Sequence, residues 1–321
     1  KSIMDSKKIN VGGQAVIEGV MIRGQNHYSV AVRKGRQIVS KIYPIKKKKY
    51  SFLKWPFIRG FVNLVEMLSI GIKSLMWSAH QASPEEEKIG KKEFMFTILV
   101  SVGFTIIFFI ALPYFLTNLL GFYEEKKPIL FNLVDGFIRI AIFLIYLFAI
   151  SFIRDVQILF QYHGAEHKAI HCYEKGKKLN ITNIKKFTTL HPRCGTSFLL
   201  IVFAVSIFVF SFLPSLVLFF YNDFLNLVLI IRKMILFLLR ILLIPVIAGI
   251  SYEILKLSDK KQANFLFKII SMPGLLLQKI TTKEPTAKQI EVAQYSLKKL
   301  LMIENKKHTR KSKIFVAQKI Q

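Results

Sequence analysis

The residues with the clearest capacity for chemistry fall in one stretch of the chain. Four of the seven histidines and both cysteines lie between His163 and Cys194. Imidazole nitrogen and thiolate sulfur are the ligands that Zn²⁺ prefers in proteins. A single helical histidine is usually a packed or surface residue, so it is the clustering of these side chains that predicts a metal site.

The first part of this stretch has the spacing of a helical metal site. His163, Glu166 and His167 form the string His-x-x-Glu-His, and residues three or four apart share one face of a helix. Two such histidines can bind one Zn²⁺ when a third ligand comes from elsewhere in the chain, and His191 and Cys194 are the candidates to supply it. The string also matches the inverted zincin pattern, in which the glutamate acts as general base.

The role of this site stays open at two points. An open coordination position would make the metal catalytic, whereas four protein ligands would make it structural, with Glu166 holding a ligand in place. Arg193 could bind an anionic substrate or pair with a carboxylate such as Glu174. His171 shares the predicted helical face, and Gly164 counts against a regular helix here.

Three strings of the chain resemble a known family. They are Gly-Gly-Gln-Ala-Val-Ile-Glu-Gly-Val-Met-Ile-Arg-Gly at 12–24, Tyr-His-Gly-Ala-Glu-His-Lys at 162–168 and His-Pro-Arg-Cys-Gly-Thr-Ser-Phe at 191–198. Together they are similar to the YqhQ-like family of bacterial membrane proteins, a domain of unknown function described as a predicted metal-dependent enzyme. The resemblance covers the chain from about Val11 to Leu300.

The resemblance implies a set of site residues. The candidate metal ligands are His163, His167, His191 and Cys194, and the candidate catalytic residues are Glu166 and Arg193. Gln14, Glu18 and Arg23 form a second candidate group. Of these, Glu18 and Arg23 could close over the metal site if the N-terminal sheet packs under the histidine loop. His171 and Cys172 lie outside the family pattern. Tight turns explain the glycines at 12–24, because the Gly-Lys-Ser/Thr ending of a phosphate loop is missing.

Four apolar runs indicate a membrane protein. A membrane-spanning helix needs about 20 apolar residues, and four runs pass this test: Phe94–Leu120, Leu133–Ile153, Ser197–Tyr221 and Met234–Leu255. The residues before the first run are basic and mixed, so no secretory signal peptide of the usual kind is predicted. Because the chain has only two cysteines, we do not expect a disulfide framework.

The distribution of lysine and arginine predicts the orientation of these spans. Residues 1–93, 154–196 and 256–321 carry 18, 8 and 15 Lys+Arg, whereas the two remaining loops, 122–132 and 222–233, carry two each. Positively charged flanking loops stay in the cytoplasm. We therefore expect a multi-pass protein of the bacterial cytoplasmic membrane, with both termini and the loop 154–196 on the cytoplasmic side.

The regions outside the spans predict a mainly α protein with one small sheet. Residues 1–50 alternate roughly in twos and predict a small antiparallel β-sheet, with turns at Gly24-Gln-Asn and Lys34-Gly-Arg. Residues 51–93 predict an amphipathic helix from Pro56 and a linker, with Arg59, Glu66 and Lys73 on its polar face. The transmembrane region is 94–255. The last region, 256–321, predicts cytoplasmic interfacial helices and a basic tail.

Two elements of the C-terminal region can be placed more closely. Phe265–Leu277 is a short apolar run interrupted at residues 271–274, which favours an interfacial or re-entrant segment. Pro285 begins an amphipathic helix. Its predicted apolar face consists of Ile290, Ala293, Leu297 and Leu300.

Charges inside the spans and on the surface indicate structure and lipid contact. Asp135 and Arg139 lie in the second span and Arg240 in the fourth, and we expect Asp135 to pair with Arg240. A transport pathway is the alternative, although four spans without an inverted repeat are few for a transporter. The net charge of +28 predicts contact with anionic lipids, or with a ribosome or translocation channel, rather than specific nucleic-acid binding.

Two classes of function follow from these observations. The first is a metal-dependent enzyme, hydrolase-like, with a zinc site on the cytoplasmic side and Glu166 as base. The alternative is a non-enzymatic membrane factor in protein translocation, insertion or assembly, whose histidines and cysteine form a structural metal site or a polar cluster. Four filled ligand positions favour the alternative, and an open position favours the enzyme.

Overall fold

The fold consists of a four-stranded sheet and ten α-helices within the residues that are described here. The computed structural model describes residues 9–46, 50–82, 90–124, 126–192, 194–260 and 265–317. The strands are β1 Gly12–Val16, β2 Gly19–Arg23, β3 His27–Lys34 and β4 Gln37–Pro44. The helices are α1 Ile58–Ala82, α2 Lys91–Ile106, α3 Leu112–Leu119, α4 Pro128–Ile150, α5 Arg154–Glu174, α6 Ile181–Lys185, α7 Gly195–Phe220, α8 Leu229–Lys260, α9 Phe265–Thr281 and α10 Ala287–Ala317.

The N-terminal sheet is an antiparallel meander, as the alternation in the sequence predicts. The strand order is β1-β2-β3-β4, and Val16 pairs with Gly19 while Lys34 pairs with Gln37, so both of these hairpins have two-residue turns. The second turn contains Gly35 at φ 60°, a conformation that glycine adopts without steric cost. The predicted turns at Gly24 and Gly35 are therefore confirmed.

Both faces of the sheet are covered by helices. Val20, Ile22 and Ala31 belong to a core that includes α5 and α10. Met21 and Val30, which alternate with them, belong to a second core that includes Ile70 of α1 and, at its edge, Trp77. Side chains alternate between faces along a strand, so the sheet is the middle layer between α1 on one side and α5 with α10 on the other.

Apart from Ile70, helix α1 buries small and polar residues, and many of its large apolar residues face outward. Its buried residues include Gly60, Gly71, Ser74 and Ser78, whereas its large apolar residues Val65, Leu68, Ile72, Leu75 and Met76 are exposed. Gly60 lies so close to α8 that an added Cβ would be 2.9 Å from the Cα of Gly249. The predicted amphipathic helix is present, but its predicted polar face is divided, because Arg59 and Glu66 contact protein whereas Lys73 is exposed.

Ion pairs on the inward face of α1 connect it to two other elements. Arg59 donates two hydrogen bonds to the carboxylate of Glu253 on α8, at 2.7 and 2.5 Å. Arg23 of β2 lies 2.6 Å from Glu66. Arg59 and Glu66, which were predicted to face solvent, therefore form ion pairs with other parts of the protein.

Four helical segments are long and apolar enough to cross a membrane. They are Met95–Leu119, Pro128–Ile150, Gly195–Phe220 and Leu229–Ser258, with mean hydropathies between 2.2 and 2.6. They correspond to the four predicted runs. The first of them contains α2, a π-helical turn at Ile107–Ala111 and α3.

The charges within these helices pair differently from the prediction. Asp135 accepts a hydrogen bond of 2.7 Å from Arg139, one turn further along α4. Arg240 donates instead to Glu124 at 2.7 Å and to Asn132 at 3.2 Å. The predicted Asp135–Arg240 pair is thus wrong, because Glu124 in the loop before α4 reaches Arg240 first and Arg139 is the local partner of Asp135.

The C-terminal region forms two helices that pack on the rest of the structure. α9 is continuous through Pro273, and an added Cβ at Gly274 would be 2.2 Å from Ser197 of α7, so the two helices are in close contact. α10 buries Ile290, Ala293, Leu297 and Leu300 completely, which confirms its predicted apolar face.

Arg193 lies outside the described residues, as does much of the linker predicted before the first span.

Glu304 of α10 binds the loop between β2 and β3. Its side chain is 1% exposed, and it accepts hydrogen bonds from the backbone N–H groups of Asn26 and His27 at 2.8 Å and from the Asn26 side chain at 2.9 Å. Burial by itself raises the pKa of this carboxyl, but the hydrogen bonds from Asn26 and His27 outweigh it and lower the pKa below the usual value. The ionised form of Glu304 therefore stabilises the fold.

Replacement of Glu304 by glutamine should weaken the contact between α10 and the β2–β3 loop. It should also reduce the pH dependence of the free energy of unfolding. A depressed pKa contributes stability above the unfolded value of about 4.3 that is lost as pH falls through the folded value. We expect Glu304→Gln to lower the free energy of unfolding by about 2 kcal/mol at neutral pH, measured by denaturant titration with tryptophan fluorescence, and to flatten its fall in acid.

The matched control is Glu291→Gln on the same helix. Glu291 pairs with Arg33 at 2.5 Å, but its side chain is 49% exposed, and exposed ion pairs contribute at most about 1 kcal/mol. An equal loss of stability in the two variants would show that the buried loop contact has no special role.

Candidate metal centre

Helix α5 carries most of the predicted site and is regular throughout. It extends without a break from Arg154 to Glu174, so the expectation that Gly164 disturbs the helix is wrong. A Cβ at this position would be 2.2 Å from the carbonyl oxygen of Lys283 in the α9–α10 connection. Gly164 is therefore explained by the close approach of another segment and not by a helix break.

The first ligand group consists of His163, His167 and Cys194. One ligand atom from each lies within 4.8 Å of the others. His163 Nε2 is 3.3 Å from Cys194 Sγ. Two atoms bound to one zinc at about 2.0–2.3 Å and tetrahedral angles are about 3.4 Å apart. The spacing of this pair thus suits a shared metal ion.

Backbone carbonyl groups fix the orientation of both histidines. His163 Nδ1 is 2.8 Å from the carbonyl oxygen of Thr281, and His167 Nδ1 contacts the carbonyl oxygen of Thr189. Donation from Nδ1–H in each ring leaves the Nε2 lone pair for a metal. Such hydrogen bonds to the nitrogen that does not bind metal are the usual support of zinc-binding histidines.

Cys194 is placed at the N-terminus of α7. Cys194 is the N-cap residue of the helix. Its sulfur lies 3.5 Å from the backbone nitrogen of Thr196 and 3.2 Å from the Thr196 hydroxyl. The positive end of the helix dipole favours negative charge here. The membrane-length helix α7 therefore begins at the residue that offers the thiolate.

Glu166 lies beside this group in a fully enclosed environment. Glu166 is 3% exposed, and its carboxylate is 3.4 Å from His167 Nε2. Burial raises the pKa of Glu166 to about 7, although the nearby histidines His163 and His191 act in the opposite direction. Burial also lowers the pKa of His167, so this ring is neutral near pH 7. A carboxylate with a pKa near the working pH is well suited to general base catalysis.

A second ligand group lies next to the first. His171, Glu174 and His191 each offer an atom within 4.8 Å of the others, and His191 Nε2 is 3.2 Å from the Glu174 carboxylate. The ring centroid of His191 is 4.4 Å from that of His171 and 5.6 Å from that of His167. Of the two predicted suppliers of a third ligand to His163 and His167, Cys194 takes that place and His191 belongs to the neighbouring group.

Gln278 of α9 holds the loop that carries His191, and sequence reasoning missed it. Its side chain accepts a hydrogen bond from the His191 backbone N–H at 2.7 Å and donates one to the His191 carbonyl at 2.9 Å. The residue is completely buried. The available signal was a glutamine placed directly after Leu277, at the end of the apolar run, because a buried amide needs partners.

The second candidate group does not enter the ligand cluster. Gln14 donates to the carbonyl of Gly71 at 3.3 Å, and Arg23 pairs with Glu66. Glu18, at φ 50° in the β1–β2 turn, accepts a hydrogen bond of 3.2 Å from the Tyr162 hydroxyl. The sheet does pack against α5, but these three side chains bind the surrounding framework.

The contact between the sheet and the site is made by Gly13 instead. An added Cβ there would be 2.5 Å from the Met21 carbonyl oxygen and 2.8 Å from Glu166 Oε1. Gly13 lies within β1, so the requirement for glycine comes from close approach rather than from the tight turn that the sequence suggested.

Comparison with known proteins places the chain in a family. Residues 55–303 match the family model described as "Protein of unknown function (DUF1385)". The chain is also 33% identical over 317 residues to the uncharacterized protein YqhQ of Bacillus subtilis (strain 168), a match that covers 91% of this chain and 92% of that protein. No solved structure shows significant similarity to the chain. The resemblance seen in the three sequence strings is thereby confirmed.

The neighbouring glycines of β1 provide a matched test of the contact with Glu166. We expect Gly13→Ala to destabilise the fold by roughly 1–3 kcal/mol, because the added methyl group must displace Glu166 or the β2 backbone. The control is Gly12→Ala, where an added Cβ meets nothing within 4 Å. Denaturant titration of both variants measures the difference, and equal stabilities would contradict the close packing of β1 on Glu166.

Proposed function

We propose that this chain, which belongs to the DUF1385 family, is a membrane protein that binds zinc at His163, His167 and Cys194 and uses it in a hydrolytic reaction. The observation that carries the proposal is the convergence of two imidazoles on one thiol, with Nδ1 of each ring held by a backbone carbonyl group. Such an arrangement presents both Nε2 lone pairs to the same point.

The residues present fit a zinc ion. Two imidazole nitrogens and one sulfur form a three-ligand set of the kind that leaves a fourth position open in catalytic sites. A Cys194 thiolate would balance one of the two positive charges of the ion, and the Glu166 carboxylate lies close by. When bound, the zinc ion would supply Lewis-acid chemistry and stabilise negative charge that develops on a substrate.

Glu166 is the proposed general base. Its carboxylate is enclosed beside the ligand group and would accept a proton from an attacking nucleophile. Its contact with His167 at 3.4 Å places that proton transfer next to the ligand group. Arg193 precedes Cys194 in the chain and is proposed to bind an anionic substrate group.

The burial of the centre supports an alternative role. His167, Glu166 and Cys194 are 2%, 3% and 7% exposed, which is typical of a closed structural site. With Glu166 as a fourth ligand, the ion would join α5 to α7 and leave no position for a substrate. The protein would then be a non-enzymatic membrane factor, and a translocation channel or ribosome would be its proposed partner on the basic face.

The exposed apolar surfaces support a location in the bacterial cytoplasmic membrane. The first membrane-length segment buries only Pro113 and Thr117 among its described residues. Helix α1 adds an exposed apolar face that suits the boundary between lipid and water. The excess of Lys+Arg on one side supports cytoplasmic termini and contact with anionic lipid headgroups.

Metal analysis of the purified full chain tests the proposed centre. By mass spectrometry of protein in detergent, we expect the wild type and Glu166→Gln to carry the same number of zinc ions per chain, at least one, and His167→Ala to carry one fewer. The control is His80→Ala, at the exposed end of α1. Zinc that is absent from the wild type, or retained equally in His167→Ala, would refute the centre.

Hydrolysis by the same proteins separates the two roles. On a panel of phosphoester, carboxylester and peptide substrates, the enzyme proposal expects Glu166→Gln to lose at least about 100-fold in rate while it keeps its zinc. Zinc bound by a wild type that hydrolyses none of these substrates, together with loss of thermal stability on chelation, would favour the structural role.

Labelling of introduced cysteines tests the orientation. We expect Asn222→Cys to react with a membrane-impermeant maleimide in intact cells, and Lys177→Cys to react only after the membrane is made permeable, because the charge distribution retains the loop 154–196 in the cytoplasm. Both positions are exposed. The wild type is the control, since Cys172 and Cys194 are buried. The reverse pattern would overturn the topology.

A further inference from the structure

The row of imidazoles in this protein continues beyond the three residues of the first ligand group. His163, His167 and His171 follow at intervals of four along α5, and His191 lies against the last of them with ring centroids 4.4 Å apart. Glu174, one turn after His171 on the same face, completes a set of two nitrogens and one carboxylate.

We propose that His171, Glu174 and His191 bind a second divalent metal ion, so that the centre holds two ions side by side. The proposal deepens the function proposed above and rests on it, because the second ion would lie beside the first in the same centre. Its ligand set of two imidazoles and one carboxylate is that of several catalytic zinc sites. The absence of sulfur from this set also makes it suitable for Mn²⁺ or Fe²⁺.

The geometry of the three side chains supports a shared ion. His171 Nε2 is 2.8 Å from the carbonyl oxygen of Leu190, so donation from Nε2–H leaves the Nδ1 lone pair for a metal. His191 Nε2 and the Glu174 carboxylate are 3.2 Å apart, close to the separation of about 3.4 Å between two ligand atoms of one tetrahedral ion. A metal ion can take the place of the proton that these two groups share.

The backbone around the second group is held as firmly as that around the first. Gln278 forms hydrogen bonds with both the N–H and the carbonyl group of His191, which fixes the start of the loop that continues to Cys194. Leu190, whose carbonyl binds His171, directly precedes His191. The hydrogen bonds from Gln278 therefore help to position His191 of the second group and Cys194 of the first, which lie in the same loop.

The two groups differ in their access to solvent. In the second group the side chain of Glu174 is 25% exposed and His171 is also only partly buried. In the first group His167 and Cys194 are 2% and 7% exposed, and only His163 is partly buried. An ion at the second group can therefore exchange with solvent through Glu174, and a metal site needs such an entry path. We expect the second ion to bind more weakly and to leave first on chelation.

Titration of the metal-free full chain with Co²⁺ distinguishes the two sites, because only the first contains a thiolate. We expect the wild type to bind two equivalents, one of which produces a sulfur-to-cobalt charge-transfer band in the near ultraviolet. Glu174→Gln and His171→Ala should each bind one equivalent and retain that band. Cys194→Ser should lose the band and retain the second equivalent.

The matched control is Asp155→Asn, an exposed carboxylate in the first turn of the same helix, which should still bind two equivalents. A wild type that binds one equivalent with the sulfur band, unchanged by Glu174→Gln, would overturn the second site and leave the first intact. Two equivalents in both Glu174→Gln and His171→Ala would also overturn it. A chain that binds no cobalt would refute both sites.

The charge-transfer band also guards against a misfolded variant. Its retention in Glu174→Gln shows that His163, His167 and Cys194 are still assembled, so a lost equivalent then belongs to the second group. If Glu174→Gln loses the band as well, Glu174 supports the fold of both groups, and the proposal of an independent second site is wrong.

Discussion

The burial of polar side chains in the middle of α5 is the constraint on which the rest of this structure depends. Glu166, His167 and Lys168 are consecutive on α5 and each is no more than 3% exposed. Buried polar groups are costly unless each has a partner, and the partners come from several distant segments. Lys168 contacts Glu284 and the carbonyl of Lys185, and the histidines use carbonyl groups of the 189–190 loop and of Thr281. The connections before α7 and after α9 are thereby fixed in place.

The membrane-length helices and the sheet serve this arrangement from opposite sides. α5 follows α4 after a three-residue break, and Cys194 caps α7, so two apolar helices fix where the ligand stretch begins and ends. On the other side, β1 approaches Glu166 at a position where only glycine leaves room. The resulting centre is enclosed by protein, and that enclosure raises the pKa of Glu166. Burial of the centre is therefore relevant to both proposed roles. It gives Glu166 the pKa of a general base, and it is also typical of a closed structural site.

Local patterns in the sequence determined most of the fold. The four apolar runs correspond to the four long helices because hydropathy over about 20 residues depends on composition alone. The alternation at residues 12–44 gave the meander, and the spacing of Ile290, Ala293, Leu297 and Leu300 gave the buried face of α10, because strand and helix periods place these residues on one side. The same reasoning placed His163 and His167 on one face of α5. The polarity of α1 was harder to interpret, because its apolar side is exposed while its glycines and ion pairs contact protein.

Tertiary structure alone decided which residues meet. His191 and Cys194 are three residues apart in the chain, yet they fall into different ligand groups, because His191 lies beside His171 and Cys194 lies beside His163. Gln278 and Thr281 reach the centre from α9, and Arg240 meets Glu124 rather than Asp135. A periodic pattern shows which side of an element is buried, but the partner on that side depends on how distant segments are packed, and the sequence carries no local signal for that.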